Sequence, residues 1–97
     1  MAVSCARISS GAPSEAAIIG TVRRGAEPAA RAYVRLVKPD GEFASEVWCG
    51  PTGSFYIPVP PGDWDLVCLA PHTPRLQQHL TVVRGDQFAV KFQLEAA

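Results

Sequence analysis

Residues 53–68 constrain this chain most: two alternating apolar segments are joined by Pro60-Pro61-Gly62. Phe55, Ile57 and Val59 recur at every second position, the period of a strand with one buried face. Trp64, Leu66 and Cys68 resume that period beyond the corner. Proline fixes φ and glycine supplies the positive φ of a type II turn, so the corner is stiff and the two segments fold back on each other. Gly53 and Gly62 mark where the backbone needs that freedom. Neither the period nor the prolines suit a helix.

The same pattern recurs along the chain. Residues 17–24 set Ile18, Gly20 and Val22 on one face and Ile19 and Thr21 on the other. In the next segment Ala32, Val34 and Leu36 alternate with Tyr33, Arg35 and Val37. Residues 42–49, 76–83 and 88–94 add three more strands, the last with Phe88, Val90, Phe92 and Leu94 on a common face. Turn chemistry separates them: Gly25 to Pro28, Lys38-Pro39-Asp40-Gly41, Pro71-His72-Thr73-Pro74 and Arg84-Gly85-Asp86. For the strand after Gly41, pairing Leu36 with Phe43 turns Phe43, Ser45 and Val47 inward. A glycine bulge at Gly41 would instead turn Glu46 inward, and a buried unpaired carboxylate is costly, so the first register is expected.

Seven short strands without a helical period predict an all-β fold, an antiparallel sandwich or small barrel. The expected core is Ile18, Val22, Val34, Leu36, Phe55, Ile57, Trp64, Leu66, Val90 and Phe92. A length of 97 residues accommodates one domain. The small, serine-rich segment 1–16 reads as a tail, flexible or docked on a partner, ahead of a sandwich over 17–97. Nine basic and nine acidic residues cancel, which leaves no electrostatic footprint for nucleic acid or an anionic membrane. No apolar run reaches the roughly 18–20 residues of a membrane helix, and the N-terminus lacks the pattern of a signal peptide; a cytoplasmic location is the expectation.

A resemblance rests on these residues. Ile18-Ile19-Gly20-Thr21-Val22, Pro28, Ala32-Tyr33-Val34-Arg35-Leu36, Gly53-Ser54-Phe55 and Pro61-Gly62-Asp63-Trp64-Asp65-Leu66 follow one another as in carboxypeptidase-regulatory-like domains. That resemblance implies a seven-stranded prealbumin-like (transthyretin-like) Greek-key sandwich. Within the group, Ala32 to Leu36 followed by Gly41 to Val47 is similar to the SseC-like bacterial sulfur-metabolism proteins, which are encoded beside thiosulfate sulfurtransferases. The resemblance covers residues 17–70 and weakens beyond. That family places a cysteine directly after the initiator methionine, whereas here it is Cys5.

Candidate chemistry is sparse. Cys5, Cys49 and Cys68 are an odd set without CxxC spacing, so the sequence nominates neither a zinc site nor a full disulfide framework. Cys68 shares the face of Trp64 and Leu66 and reads as a buried small hydrophobe. Cys5 on the tail and Cys49 near a strand end, beside Gly50-Pro51, are the candidate reactive thiols. Tyr33, Tyr56, His72 and His79 match the residue types of the iron site in intradiol dioxygenases, but not the spacing of its histidines. Hydroxyisourate hydrolases end in Tyr-Arg-Gly-Ser and this chain in Leu94-Glu95-Ala96-Ala97, so that activity is not expected. A Lys–Asn isopeptide bond is excluded because the chain has no asparagine.

The reading is therefore a non-enzymatic sandwich without catalytic residues, metal or cofactor, working by binding another protein. The partner would be a second copy or a larger enzyme, with a sulfurtransferase among the candidates, and no small-molecule substrate is expected. The candidate interface is Tyr33, Arg35, Glu46 and Trp48, with Val37 and Ala44 beside them on the same outward face. The alternative is a persulfide carrier acting through Cys5 or Cys49. A small-ligand module is disfavoured because so small a sandwich fills its interior with side chains.

Overall fold

The computed structural model describes residues 2–9, 15–29 and 31–95. It contains nine strands and, among the described residues, no helix: β1 (Ala2–Ser9), β2 (Ala17–Arg24), β3 (Glu27–Pro28), β4 (Tyr33–Val37), β5 (Phe43–Trp48), β6 (Ser54–Pro58), β7 (Gly62–Leu69), β8 (Leu76–Val82) and β9 (Gln87–Leu94). One sheet runs β1-β9-β2, with β6 and the two-residue β3 both pairing along the far side of β2. The other runs β5-β4-β7-β8. The architecture is the expected all-β sandwich, with nine strands rather than seven.

The ladders are antiparallel except one. β2 lies parallel to β9 over eight residue pairs, from Ala17–Gln87 to Arg24–Leu94. Ile18, Val22, Phe88, Val90, Phe92 and Leu94 thereby project together from one sheet, and Val34, Leu36, Trp64, Leu66 and Cys68 meet them from the other. All ten expected core residues are buried. Trp64 keeps its indole N–H satisfied inside, donating to the Pro60 carbonyl at 2.8 Å. Gly62 closes that corner with a φ of 137°.

Gly20 leaves no room for a side chain. A Cβ there would overlap the Val90 carbonyl oxygen and the Phe55 ring. Phe55 uses the vacated space to approach Phe92, ring centroids 6.4 Å apart. A side chain at Gly20 would push two paired strands and an aromatic ring aside at once.

Two expectations are corrected. Residues 2–9 are not a tail but an edge strand, β1, antiparallel to β9 with Val3 opposite Phe92 and Cys5 opposite Val90. The anchor is Asp86, a fully buried carboxylate whose Oδ2 accepts from the Val83 N–H at 2.9 Å and lies 3.4 Å from Arg7 Nε. Arg7 also stacks over Phe88, 5.4 Å from the ring centroid. The rest of the expected tail, at residues 1 and 10–14, lies outside the described residues.

The second correction concerns β5. Leu36 pairs with Ser45 and Val34 with Val47, two residues away from the expected register, so Ser45 and Val47 still turn inward. A bulge between Leu36 and Val37 then sets Phe43 opposite Val37, and Phe43 is 59% exposed instead of buried. The cause lies in the turn: Gly41 adopts a φ of 91°, Gly41 N–H donates to Lys38 O and Glu42 N–H to Asp40 Oδ1. This is the extra-residue geometry that a type I turn with a left-handed glycine brings. Because the bulge falls at Ala44, it leaves Glu46 pointing outward.

Replacing Gly20 with alanine should cost about 3 kcal/mol, the upper end of overpacking in a filled interior, read as a lowered urea midpoint. An unchanged midpoint would mean that β2 is free to move away from β9 and Phe55.

Candidate protein-binding face

Strand pairing fixes what stands on the outer face of the β5-β4-β7-β8 sheet, because directly opposed residues share a side. One row holds Trp48, Tyr33 and Leu69; the next holds Glu46, Arg35, Val67 and Gln77. A third holds Phe43, Val37, Asp65 and His79. Tyr33, Arg35, Glu46 and Trp48 are thus neighbours on one surface, as their alternation predicts.

Phe43 is the member absent from the sequence reading, whose register turns it inward. Its exposure joins that of Tyr33 (45%) and Trp48 (58%), so three aromatic rings stand on the same open sheet face. Ala44, expected in the patch, is displaced from the row by the bulge. Val37 and Val67 are buried at 5% and 1% exposure yet lie outside the core cluster, covered by their neighbours on the outer face. A sheet face that buries two valines under its own side chains has the apolar base of an interface.

At the centre Arg35 donates from Nε and Nη2 to Glu46 Oε2, at 2.9 and 2.7 Å. Its guanidinium also lies over Phe43, 5.5 Å from the ring centroid. An exposed pair of this kind contributes at most about 1 kcal/mol to stability. Its larger effect is to neutralise both charges in place and to hold the guanidinium over the Phe43 ring.

At the β8 end, His79 Nδ1 lies 2.9 Å from Asp65 Oδ1, and Thr81 donates to Asp63 Oδ1 at 2.8 Å. Among the described residues no group of three or more His, Cys, Asp or Glu is arranged to hold a metal. Tyr33 and Tyr56 lie on the outer faces of opposite sheets, because Tyr56 pairs with Ile19 on the other one. They cannot converge with His72 and His79 on a single ion.

The thiols are not where a reactive cysteine should be. Cys49, a candidate reactive thiol by its place near a strand end, is 2% exposed, and burial pushes its pKa up to about 11. Cys68 is buried as expected, and burial, reinforced by Cys49, pushes it up to about 12. Cys5 sits half-buried on β1, its pKa also raised by burial. None is held as the thiolate that sulfur transfer requires.

Timed alkylation of the folded protein should therefore label Cys5 first and leave Cys49 and Cys68 protected; rapid native labelling of Cys68 would place β7 the wrong way up. The buried thiols also set a pH dependence. Unfolded cysteines lose their protons near 9, whereas folded Cys49 holds its proton to about 11. The unfolded state then binds fewer protons, so stability falls as pH rises from about 9 to about 11. Denaturation midpoints across that window check this, and Cys49→Ala should flatten the slope; a slope unchanged in that variant would contradict it.

Solved structures share the architecture. The 5-hydroxyisourate hydrolase of Klebsiella pneumoniae superimposes with a TM-score of 0.67 over 84% of this chain and 91% of that one, at 16% identity. The hydroxyquinol 1,2-dioxygenase of Pseudomonas putida DLL-E4 gives a TM-score of 0.62 at 15% identity, over 93% of this chain and 58% of that one. At such identities the likeness is one of fold, a transthyretin-like sandwich. No protein with a curated description matches. The family profile described as "Protein of unknown function (DUF1416)" matches residues 3–93, nearly the whole chain, and the chain belongs to that family.

Proposed function

We propose that this sandwich is a non-enzymatic module that binds another protein through the outer face of the β5-β4-β7-β8 sheet. The observation that carries this is the grouping of Tyr33, Phe43 and Trp48, all substantially exposed, around the Arg35–Glu46 pair on one sheet face. Aromatic residues and arginine dominate interface hot spots, and a β-sheet holds them at low entropic cost. A standard interface covers about 800 Å² per partner, roughly one seventh of the 5514 Å² surface. The internally neutralised ion pair calls for an apolar or hydrogen-bonding complement rather than a charged one. On the other sheet, exposed Ile19 and Tyr56 form a smaller pair without such a setting.

A connection with sulfur metabolism, and with a sulfurtransferase as the larger partner, rests on the resemblance of residues 17–70 to SseC-like proteins. The raised pKa values of all three thiols favour an accessory subunit over a persulfide carrier.

Copurification from the native source names the partner, and binding of the purified proteins then tests the face. Tyr33→Ala and Trp48→Ala should each weaken the complex by about 2 kcal/mol or more, a factor of about thirty, with the urea midpoint of the free domain unchanged. Sedimentation equilibrium of the domain alone reads the same loss if the partner is a second copy. An unaltered complex after the double substitution means that another surface binds.

A further inference from the structure

At one end of the sandwich, the end of β2, the β3–β4 loop and the β7–β8 turn enclose a cleft of about 270 Å³. Arg24, Arg31 and His72 line it, against apolar walls that include Pro28, Ala29 and Ala70. Among the described residues no acid lines it.

Arg24 carries the argument. Its Nη2 donates to the Pro71 carbonyl at 3.0 Å and to Thr73 Oγ1 at 2.8 Å, and its Nη1 donates to the Glu95 carbonyl at 3.2 Å. All three acceptors are neutral: they fix the plane of the half-buried guanidinium without offsetting its charge. Arg7 and Arg35 each meet a carboxylate, but among the described residues neither Arg24 nor Arg31 does. Two guanidinium groups that meet no carboxylate among the described residues, on a concave, largely apolar wall, concentrate positive potential there, since apolar walls screen poorly. The field reaches the interior, where Arg24 opposes, without overcoming, the burial that raises Cys68. His72, held at a φ of 57° in the turn, adds an imidazole to the same lining.

We propose that this cleft binds a small organic anion, a carboxylate with a short apolar chain. The carboxylate lies between the Arg24 and Arg31 guanidinium groups, and the chain lies against Pro28 and Ala29. The volume sits just under the roughly 300 Å³ at which pockets for drug-sized ligands begin, which suits a ligand of a few heavy atoms. No residue of the protein-binding face lines the cleft. It departs from the expectation of no small-molecule ligand because the space lies between loop ends, not between the sheets.

The test is a titration of isotopically labelled protein with butyrate at constant ionic strength, followed by amide chemical shifts, with butyramide as the uncharged isostere. Saturable shifts confined to residues 24, 29, 31, 32, 70, 72 and 73, the non-proline positions at the cleft, are expected with butyrate, and none with butyramide. Arg31 is exposed, so Arg31→Gln leaves the fold intact; it should weaken binding about tenfold, the worth of one charge-assisted hydrogen bond. The Tyr33→Ala, Trp48→Ala double variant should bind butyrate as the parent does, which separates this site from the protein-binding face. Butyramide shifting the same resonances equally, shifts that do not saturate or fall elsewhere, or unchanged affinity in Arg31→Gln would overturn the proposal.

Discussion

The close approach at Gly20, where β2 passes Val90 and the Phe55 ring, is the contact on which the other layers depend. β2 pairs on both sides: with β9 in parallel along its whole length, and with β6 and then β3 on the other flank. Only a residue without a Cβ lets Phe55 settle across β2 onto Phe92. With that packing in place, β9 presents its other edge to β1, and the end of β2 delivers Arg24 to the turn at Pro71 and Thr73. The core, the edge strand and the cleft thus share one origin.

The two faces of the β5-β4-β7-β8 sheet divide the work. Its inner face, with Val34, Leu36, Leu66 and Cys68, closes the core. Its outer face carries Tyr33, Phe43 and Trp48, all substantially exposed, together with buried Val37 and Val67. Scattered exposed apolar residues need no explanation on a small domain, but a contiguous aromatic group on one face does. The Arg35–Glu46 pair keeps that group soluble while presenting no net charge to a partner.

Period-two alternation made the core legible, because burial on one side of a strand leaves its trace in every second residue. It made Tyr33, Arg35, Glu46 and Trp48 legible as a group for the same reason. Phe43 was not legible: a hydrophobic pattern places phenylalanine inward, and only the left-handed Gly41 and the bulge it brings turn the ring out to Arg35. β1 escaped because Ala2–Ser9 has little strand propensity of its own; the open edge of β9 and the Arg7–Asp86 contact make it a strand. Arg24, Arg31 and His72 are drawn together by topology from the end of one strand and two separate connections, and no spacing in the chain records it.

The claim at the centre is that the outer aromatic face, not the interior, meets a partner, and the two tryptophans allow it to be read directly. Trp64 is buried at 7% exposure and Trp48 is 58% exposed, so a Trp64→Phe variant that retains its fold reports from Trp48 alone. Its emission in the free protein should be that of a solvated indole, quenched by iodide. On adding the copurified partner, the emission should shift to the blue and the quenching should be lost. A Trp48 that stays solvated and quenchable in the complex would contradict the account.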